Sequence, residues 1–326
     1  MAGAVDRFEL LVPNSAPVKI ERIQHPLLEQ TGIELAIRRD DLIHPQISGN
    51  KWYKLLPLLQ SALAEGACGL ASMGGAFSNH LHALAYAGHR LGIPTVGLIR
   101  GEICEPLNPS LADMSGWGMR LITVPRTLYR QRHERDLIAE YVTESGYFAI
   151  AEGGASTLAI QGCYQWGQSV ASHGQDYDLV CLACGTGTGL AGLVPALAGT
   201  ALVLGFSALR DQGSIAARIS KWLRQSAVAT ADWQLISDFA GPGFGHLFPE
   251  LLDFLEQWPD YSKVPLDPVY TGKMMFGLFE MIKTGRIRPG QRVLAIHSGG
   301  IQGARGMAMR FPQHASVIRR ASGLVQ

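Results

Sequence analysis

SGNKWYKL, residues 48–55, sets two lysines three positions apart, directly after a Ser-Gly-Asn turn and at the start of an apolar helical pattern. Ser48 or Asn50 is expected to cap that helix. A lysine in its first turn faces the positive end of the helix dipole, which disfavours the ammonium form. A deprotonated amine is what attack on a carbonyl carbon needs, so Lys51 is the candidate for covalent chemistry. Lys54 lies at i+3 on the same face, where it can neutralise an anion beside the reacting group. Taken alone, each lysine is equally an ordinary solvated charge, and the segments around it decide between the two.

Outward from this stretch, short runs rich in Val, Ile and Leu alternate with longer segments of helical period, the pattern of parallel strands covered on both faces. Strands are expected at 35–41, 69–74, 94–100, 119–124, 147–151, 178–184, 201–207, 233–239 and 292–297. Helices are expected at 51–65, 78–92, 128–145, 156–172, 189–198, 213–226, 246–257, 272–284 and 301–309. The helix at 78–92 shows its buried stripe in Leu81, Leu84, Ala85, Gly88 and Leu91. This is an α/β chain with open, twisted, mostly parallel sheets. Ligands of such sheets bind beyond the carboxyl ends of the strands, where many of these strands end in glycine.

Several turns there carry chemistry. GTGTG at 185–189, comprising Gly185, Thr186, Gly187, Thr188 and Gly189, follows a strand and precedes a helix. Backbone N–H groups and a helix dipole hold phosphate in that arrangement, although a turn needed only for packing reads the same way. The loop lacks a P-loop lysine and the dinucleotide spacing, so one terminal phosphate is the economical ligand. In GGAFSNH, 74–80, Ser78 and Asn79 open a helix and offer a carboxylate pocket; alone they are ordinary capping residues. Tyr270, in DPVYTGK, is equally a core tyrosine. HSGG at 297–300 closes the set. A lysine among anion-cradling turns suggests an aldehyde cofactor that carries a phosphate. A metal is not indicated, since His82 and His89 lie about 10.5 Å apart along their helix.

The chain has 326 residues, of which 47% are hydrophobic and 17% charged, enough for a large core and for two domains. With 28 basic and 27 acidic residues, and no basic stripe, nucleic acid is not an expected partner; small uncharged or zwitterionic molecules are. No apolar run reaches the roughly 18 residues of a membrane span, and the first residues lack a secretory pattern, so a soluble cytoplasmic protein is expected. The five cysteines are scattered, and Cys181 with Cys184 in DLVCLAC reads as a pair of buried strand residues.

RRDDL at 38–42, GNKWYKL, GGAFSNH, CGTGTG, LDPVYTGKMMFG and HSGG, in this order and over most of the chain, resemble the pyridoxal-phosphate enzymes that include 1-aminocyclopropane-1-carboxylate deaminase and D-cysteine desulfhydrase. The resemblance implies the tryptophan-synthase-β-like fold, fold type II. It divides the chain into a large domain, 1–52 and 163–326, that binds the cofactor, and a small domain, 53–162, and it implies a homodimer. By the same resemblance Lys51 bonds the aldehyde of pyridoxal 5'-phosphate. Lys54 and the 185–189 loop hold its phosphate. Asn79 reaches the ring oxygen, Ser78 meets the carboxylate of a small amino-acid substrate, and Tyr270 packs on the ring and acts in proton transfer. Phe77, His80 and Phe244 are placed near the substrate.

Deaminases of this family carry Glu after the tyrosine and Leu after the histidine of the last motif; desulfhydrases carry small hydroxyl residues. Thr271 and Ser298 stand there. A carboxylate keeps the pyridine nitrogen protonated and the ring a strong electron sink, useful for opening a cyclopropane, whereas a hydroxyl does not. The expectation is a lyase that eliminates a β-substituent, as from D-cysteine. Competing readings are ring-opening deamination, racemisation, another eliminating lyase, and a cofactor-binding regulator without turnover. The chain departs from the family at Phe77 (Gln in relatives), at Leu81 and His82 (Thr and Arg), and at Phe244, where a second tyrosine is usual.

Overall fold

The computed structural model of the chain describes Leu11, 17–174, 176–226 and 228–324. β7 (Leu179–Cys184) shows why the strands form where they do: all six residues are buried. Leu179, Cys181 and Ala183 pack with Met274, Met275 and Leu278 on one face. Val180, Leu182 and Cys184 pack with Trp166, Leu190 and Leu193 on the other. A strand apolar on both faces needs helices on both, and each such Leu or Val contributes about 1.5–3 kcal/mol of burial. Cys181 and Cys184 are free and buried. Three residues apart on a strand, they point to opposite faces, which explains why this CxxC brings no two sulfurs together.

Two sheets result. In the larger, β1 (Ile20–Arg22), β2 (Glu34–Arg38), β10 (Arg292–Ile296), β7, β8 (Leu202–Ser207) and β9 (Trp233–Ile236) lie side by side in that order. All pairs are parallel except β1 with β2. In the smaller, β5 (Arg120–Val124), β4 (Thr95–Arg100), β3 (Gly69–Gly74) and β6 (Tyr147–Ala149) are all parallel. The nine expected strands are present with shifted ends. The three-residue β1 was not expected.

The helices are mostly as expected, with one correction. The segment 128–145 is not a single helix but two short pieces, Arg126–Tyr129 and Leu137–Tyr141. The polar QRHERD run between them has no apolar stripe to bury, and Asp136 caps the second piece by accepting from the Ala139 amide at 3.1 Å. Helices Pro26–Thr31, Pro109–Gly116 and Ala315–Ser322 were not expected. Helix Asn50–Ala64 crosses helix Thr157–Gly174 at Gly162, where a Cβ would stand 1.9 Å from the Tyr53 carbonyl oxygen. Only glycine permits that approach, and it fixes the lysine-bearing helix beside the large sheet. Among the described residues no helix is long and apolar enough to cross a membrane.

Candidate active site

The carboxyl ends of strands from both sheets open on one cavity of about 1560 Å³, whose walls include Lys51, Lys54, Ser78, Asn79, Thr186 and Ser298. The turn that carries Lys51 is braced by the RRDDL segment before it. The Arg38 guanidinium donates to both oxygens of Asp40 at 3.2 and 3.0 Å, and to the carbonyl and hydroxyl of Ser169. Both side chains are fully buried. Burial, only partly offset by Arg38, pushes the Asp40 carboxyl up to about 6. The Asp40 carbonyl accepts from the Gly49 amide at 2.9 Å, so RRDDL is the strut under the lysine turn.

Gly49, not Ser48 or Asn50, occupies the N-cap, and no side chain caps this helix. The correction has a steric cause. Gly49 has φ of 59°, and a Cβ there would lie 2.1 Å from the Ser298 carbonyl oxygen, so only glycine fits where the SGN and HSGG turns interlock. The Ser48 hydroxyl is turned instead to the Gly300 amide, which donates to it at 3.3 Å. Lys51 Nζ donates to Asn50 Oδ1 at 2.9 Å. Burial first, and then the Lys54 ammonium, push the Lys51 amine down to about 7.

Lys54 is buried, and its pKa is also lowered by burial. Its Nζ approaches the Thr186 hydroxyl at 3.5 Å, and that hydroxyl lies 2.9 Å from the Thr188 hydroxyl. A buried ammonium with no carboxylate within 4 Å among the described residues is costly unless an anion joins it. Facing a glycine-rich turn, it suits a phosphate. Gly185 and Thr186 reach the cavity; Gly187, Thr188 and Gly189 stand behind them.

Ser78 is the N-cap of helix Asn79–Leu91, and its hydroxyl accepts from the Leu81 amide at 3.2 Å. Asn79 Oδ1 accepts from Gln302 Nε2 at 3.3 Å, a partner that sequence reading missed although it follows HSGG by two residues. His80 is buried with Nε2 3.0 Å from the Ser72 hydroxyl. Its Nδ1 has no partner among the described residues, and burial, then Lys51 and Lys54, push its pKa down to about 3, which keeps the ring neutral. Phe77 also lines the cavity, against Gly306 of helix Gly303–Arg310. His82 turns away from it: Nε2 lies 3.0 Å from Asp113 Oδ2, which also accepts from Arg305.

Across the cavity the Tyr270 ring lies over Gly185, and Phe244 meets it edge-on with centroids 5.7 Å apart. Burial, with Asp267 and Glu152 adding, pushes the Tyr270 phenol far up, so it stays protonated. Ser298 lines the cavity. Thr271 does not; it is fully buried, and its hydroxyl donates to Asp267 Oδ2 at 2.6 Å and accepts from the Asp267 amide at 3.1 Å. Asp267 also takes the Val269, Tyr270 and Thr271 amides. The DPVYT spacing, acid and hydroxyl four apart before a helix, was the available signal for it.

A donor set of one depressed lysine amine, a second buried lysine, a glycine-rich turn and an aromatic face suits an aldehyde with a phosphate tail. A family model described as pyridoxal-phosphate dependent enzyme matches residues 17–299. The chain belongs to this family. Its cofactor is accordingly pyridoxal 5'-phosphate. It is similar to a putative 1-aminocyclopropane-1-carboxylate deaminase of Pyrococcus abyssi, 29% identical over 310 residues covering 90% of this chain and 91% of the relative. It is equally similar to a D-cysteine desulfhydrase of Klebsiella pneumoniae, 29% identical over 318 residues covering 90% of this chain and 94% of that one. A solved structure of an ACC deaminase homologue superposes with TM-score 0.79 at 24% identity, covering 96% of this chain and 98% of its own. Threonine deaminase isoform 2 from Solanum lycopersicum gives TM-score 0.65 at 15% identity, covering 98% and 94%. The likeness to these two structures bears on the fold, an α/β fold of type II.

Proposed function

We propose that this chain is a pyridoxal-phosphate-dependent lyase that eliminates a β-substituent from a small amino acid, as from D-cysteine, rather than one that opens a cyclopropane ring. One observation carries the choice. Ser298, a hydroxyl residue, lines the cavity where a strong electron sink would need a carboxylate nearby, and Asp267, the carboxylate close in sequence to Tyr270, is spent on three amides and the Thr271 hydroxyl. Without such a partner a pyridine nitrogen stays closer to neutral, which suffices for loss of a good leaving group.

Lys51 would hold the aldehyde carbon. Lys54, Thr186 and the cavity-facing part of the 185–189 turn would hold the phosphate, Tyr270 and Asn79 the ring, with Asn79 kept in place by Gln302. Bound there, the cofactor draws electrons from the bond broken at the substrate Cα. The residues do the rest. Ser78, whose oxygen already accepts from Leu81, has its hydroxyl proton to give to the substrate carboxylate. Lys51, with its amine near neutrality at about 7, takes the Cα proton once substrate has displaced it. The β-substituent leaves with the bonding pair, and the Tyr270 phenol, held protonated, is the proton donor on the opposite wall. From D-cysteine elimination releases sulfide and an enamine, and hydrolysis of the enamine by one water gives pyruvate and ammonia.

The test is incubation of holoenzyme with D-cysteine and with 1-aminocyclopropane-1-carboxylate. Sulfide with pyruvate supports elimination; 2-oxobutyrate from the second compound and no sulfide from the first supports ring opening instead. Deuterium exchange at Cα with neither product makes the chain a racemase.

A further inference from the structure

We infer that Arg100 and Arg126 form a second anion subsite in this cavity, selecting amino acids whose side chain carries an acidic group of its own. The inference rests on the lyase reading and narrows the substrate class of the same site. Arg100 ends β4, and Arg126 follows β5 by two residues. β4 and β5 are neighbours, with Arg100 paired to Val124, so both arginines rise from adjacent strands at the edge where ligands of parallel sheets bind. Both line the same cavity as Lys51 and Ser78. Arg126 folds back over Gly101, whose missing Cβ would stand 3.0 Å from its Nε. Arg100 reaches the other way, its Nη2 3.5 Å from where a Cβ on Gly75 would be, beside the loop that ends in Ser78.

The cations around them are already satisfied. Arg132 is bonded to Glu152 at 2.6 Å and Arg135 to Glu140 at 2.6 Å. Among the described residues neither Arg100 nor Arg126 has a carboxylate within 4 Å, although Glu102 lines the cavity two residues from Arg100. The Arg100 guanidinium carbon lies 5.9 Å from the centroid of the Tyr129 ring. Two guanidinium groups without carboxylates on the wall of the cavity that holds Ser78, Arg100 next to the loop that ends in it, match a ligand with two acidic groups: the α-carboxylate to Ser78, the second acid to Arg100 with Arg126 further along the wall.

The experiment titrates holoenzyme with aspartate and O-phosphoserine, each in both configurations, and with alanine of matching configuration, following the cofactor absorption band. The acidic amino acids are expected to bind about tenfold more tightly than alanine, the worth of one charge-assisted hydrogen bond. That ratio is expected to fall to about one in the Arg100→Gln/Arg126→Gln double variant, and in wild type to shrink at 1 M salt, a measurement that needs no variant to fold. Equal binding of alanine and aspartate by wild type overturns the inference. So does a variant that weakens both by the same factor, since Arg100 would then serve the α-carboxylate. A band that no amino acid moves sinks the lyase reading itself, and the inference with it.

Discussion

The two sides of the cavity spend their polar groups differently. On the side of the six-stranded sheet, away from the two lysines of the site, three buried charges are used up inside the protein: Arg38 on Asp40 and Ser169, Asp267 on four donors, and Lys273 on the carbonyls of Ala240 and Gly243 at 2.7 Å each. On the side of the four-stranded sheet, His80 Nδ1 has no partner and Arg100 and Arg126 have no carboxylate among the described residues. Satisfied networks make a rigid frame; unsatisfied groups at a cavity wall are what a ligand can use. Substitutions on the first side should therefore act on stability, and on the second on binding.

The largest effect tests the one reactive group on the rigid side. Lys51→Ala should lower turnover by about 10³-fold or more, the range for a lost proton-transfer group, while circular dichroism stays native; retained turnover would remove Lys51 from the chemistry. Next, Asp40→Ala removes the carboxylate from the buried Arg38 guanidinium, which keeps its bonds to Ser169, and should cost about 3 kcal/mol in urea unfolding. A cost near zero would mean that the strut beneath Gly49 does not bear on stability. Lys273→Met deletes two bonds to the Ala240–Gly245 turn and should cost about 2 kcal/mol. Because this turn carries Phe244 against Tyr270, the cofactor's near-ultraviolet dichroism should change as well.

A pH series is smaller in scale and direct in sign. The Lys51 amine is depressed to about 7, so it is neutral above that value and charged below it. Capture of cofactor by apoprotein needs the neutral amine, and its rate should fall about tenfold per pH unit below 7; a midpoint near the ordinary lysine value would show that burial does not act on Lys51 as described. Finally, Arg100→Ala should shift stability by no more than about 0.5 kcal/mol in the same urea assay. A larger loss would erase the contrast between the two sides.

Much of this was legible in the chain because it is local. Strand β7 declares itself by six consecutive apolar residues, and Ser78 by the helix it caps. Even the missed helix Pro109–Gly116 carries a local signal in Asn108, which accepts from the Ser110 and Leu111 amides, followed by proline. What escaped is set by distant partners. Thr271 follows Tyr270 and was read as facing the cofactor, yet Asp267 draws its hydroxyl into the helix start. His82 looked like a change at the substrate and proves to bond Asp113, thirty-one residues on. Arg100 ends a strand with no motif around it to single it out. Net charge near zero pointed to zwitterionic ligands; the local arrangement of arginines, which composition cannot report, is what points to a ligand with two acids.

Strand order carries a last consequence, for the making of the protein. The four-stranded sheet is complete by Ala149 and can close while the rest of the chain is still on the ribosome. The other sheet cannot, because β10, the last in chain order of the described strands, lies in its middle between β2 and β7. Until Ile296 has emerged, β2 and β7 have no common neighbour, and the turn holding Lys51 has no Ser298 to lock against. The nascent protein thus carries a folded substrate wall before it owns a reactive lysine in position, and the amine becomes competent only in the finished chain.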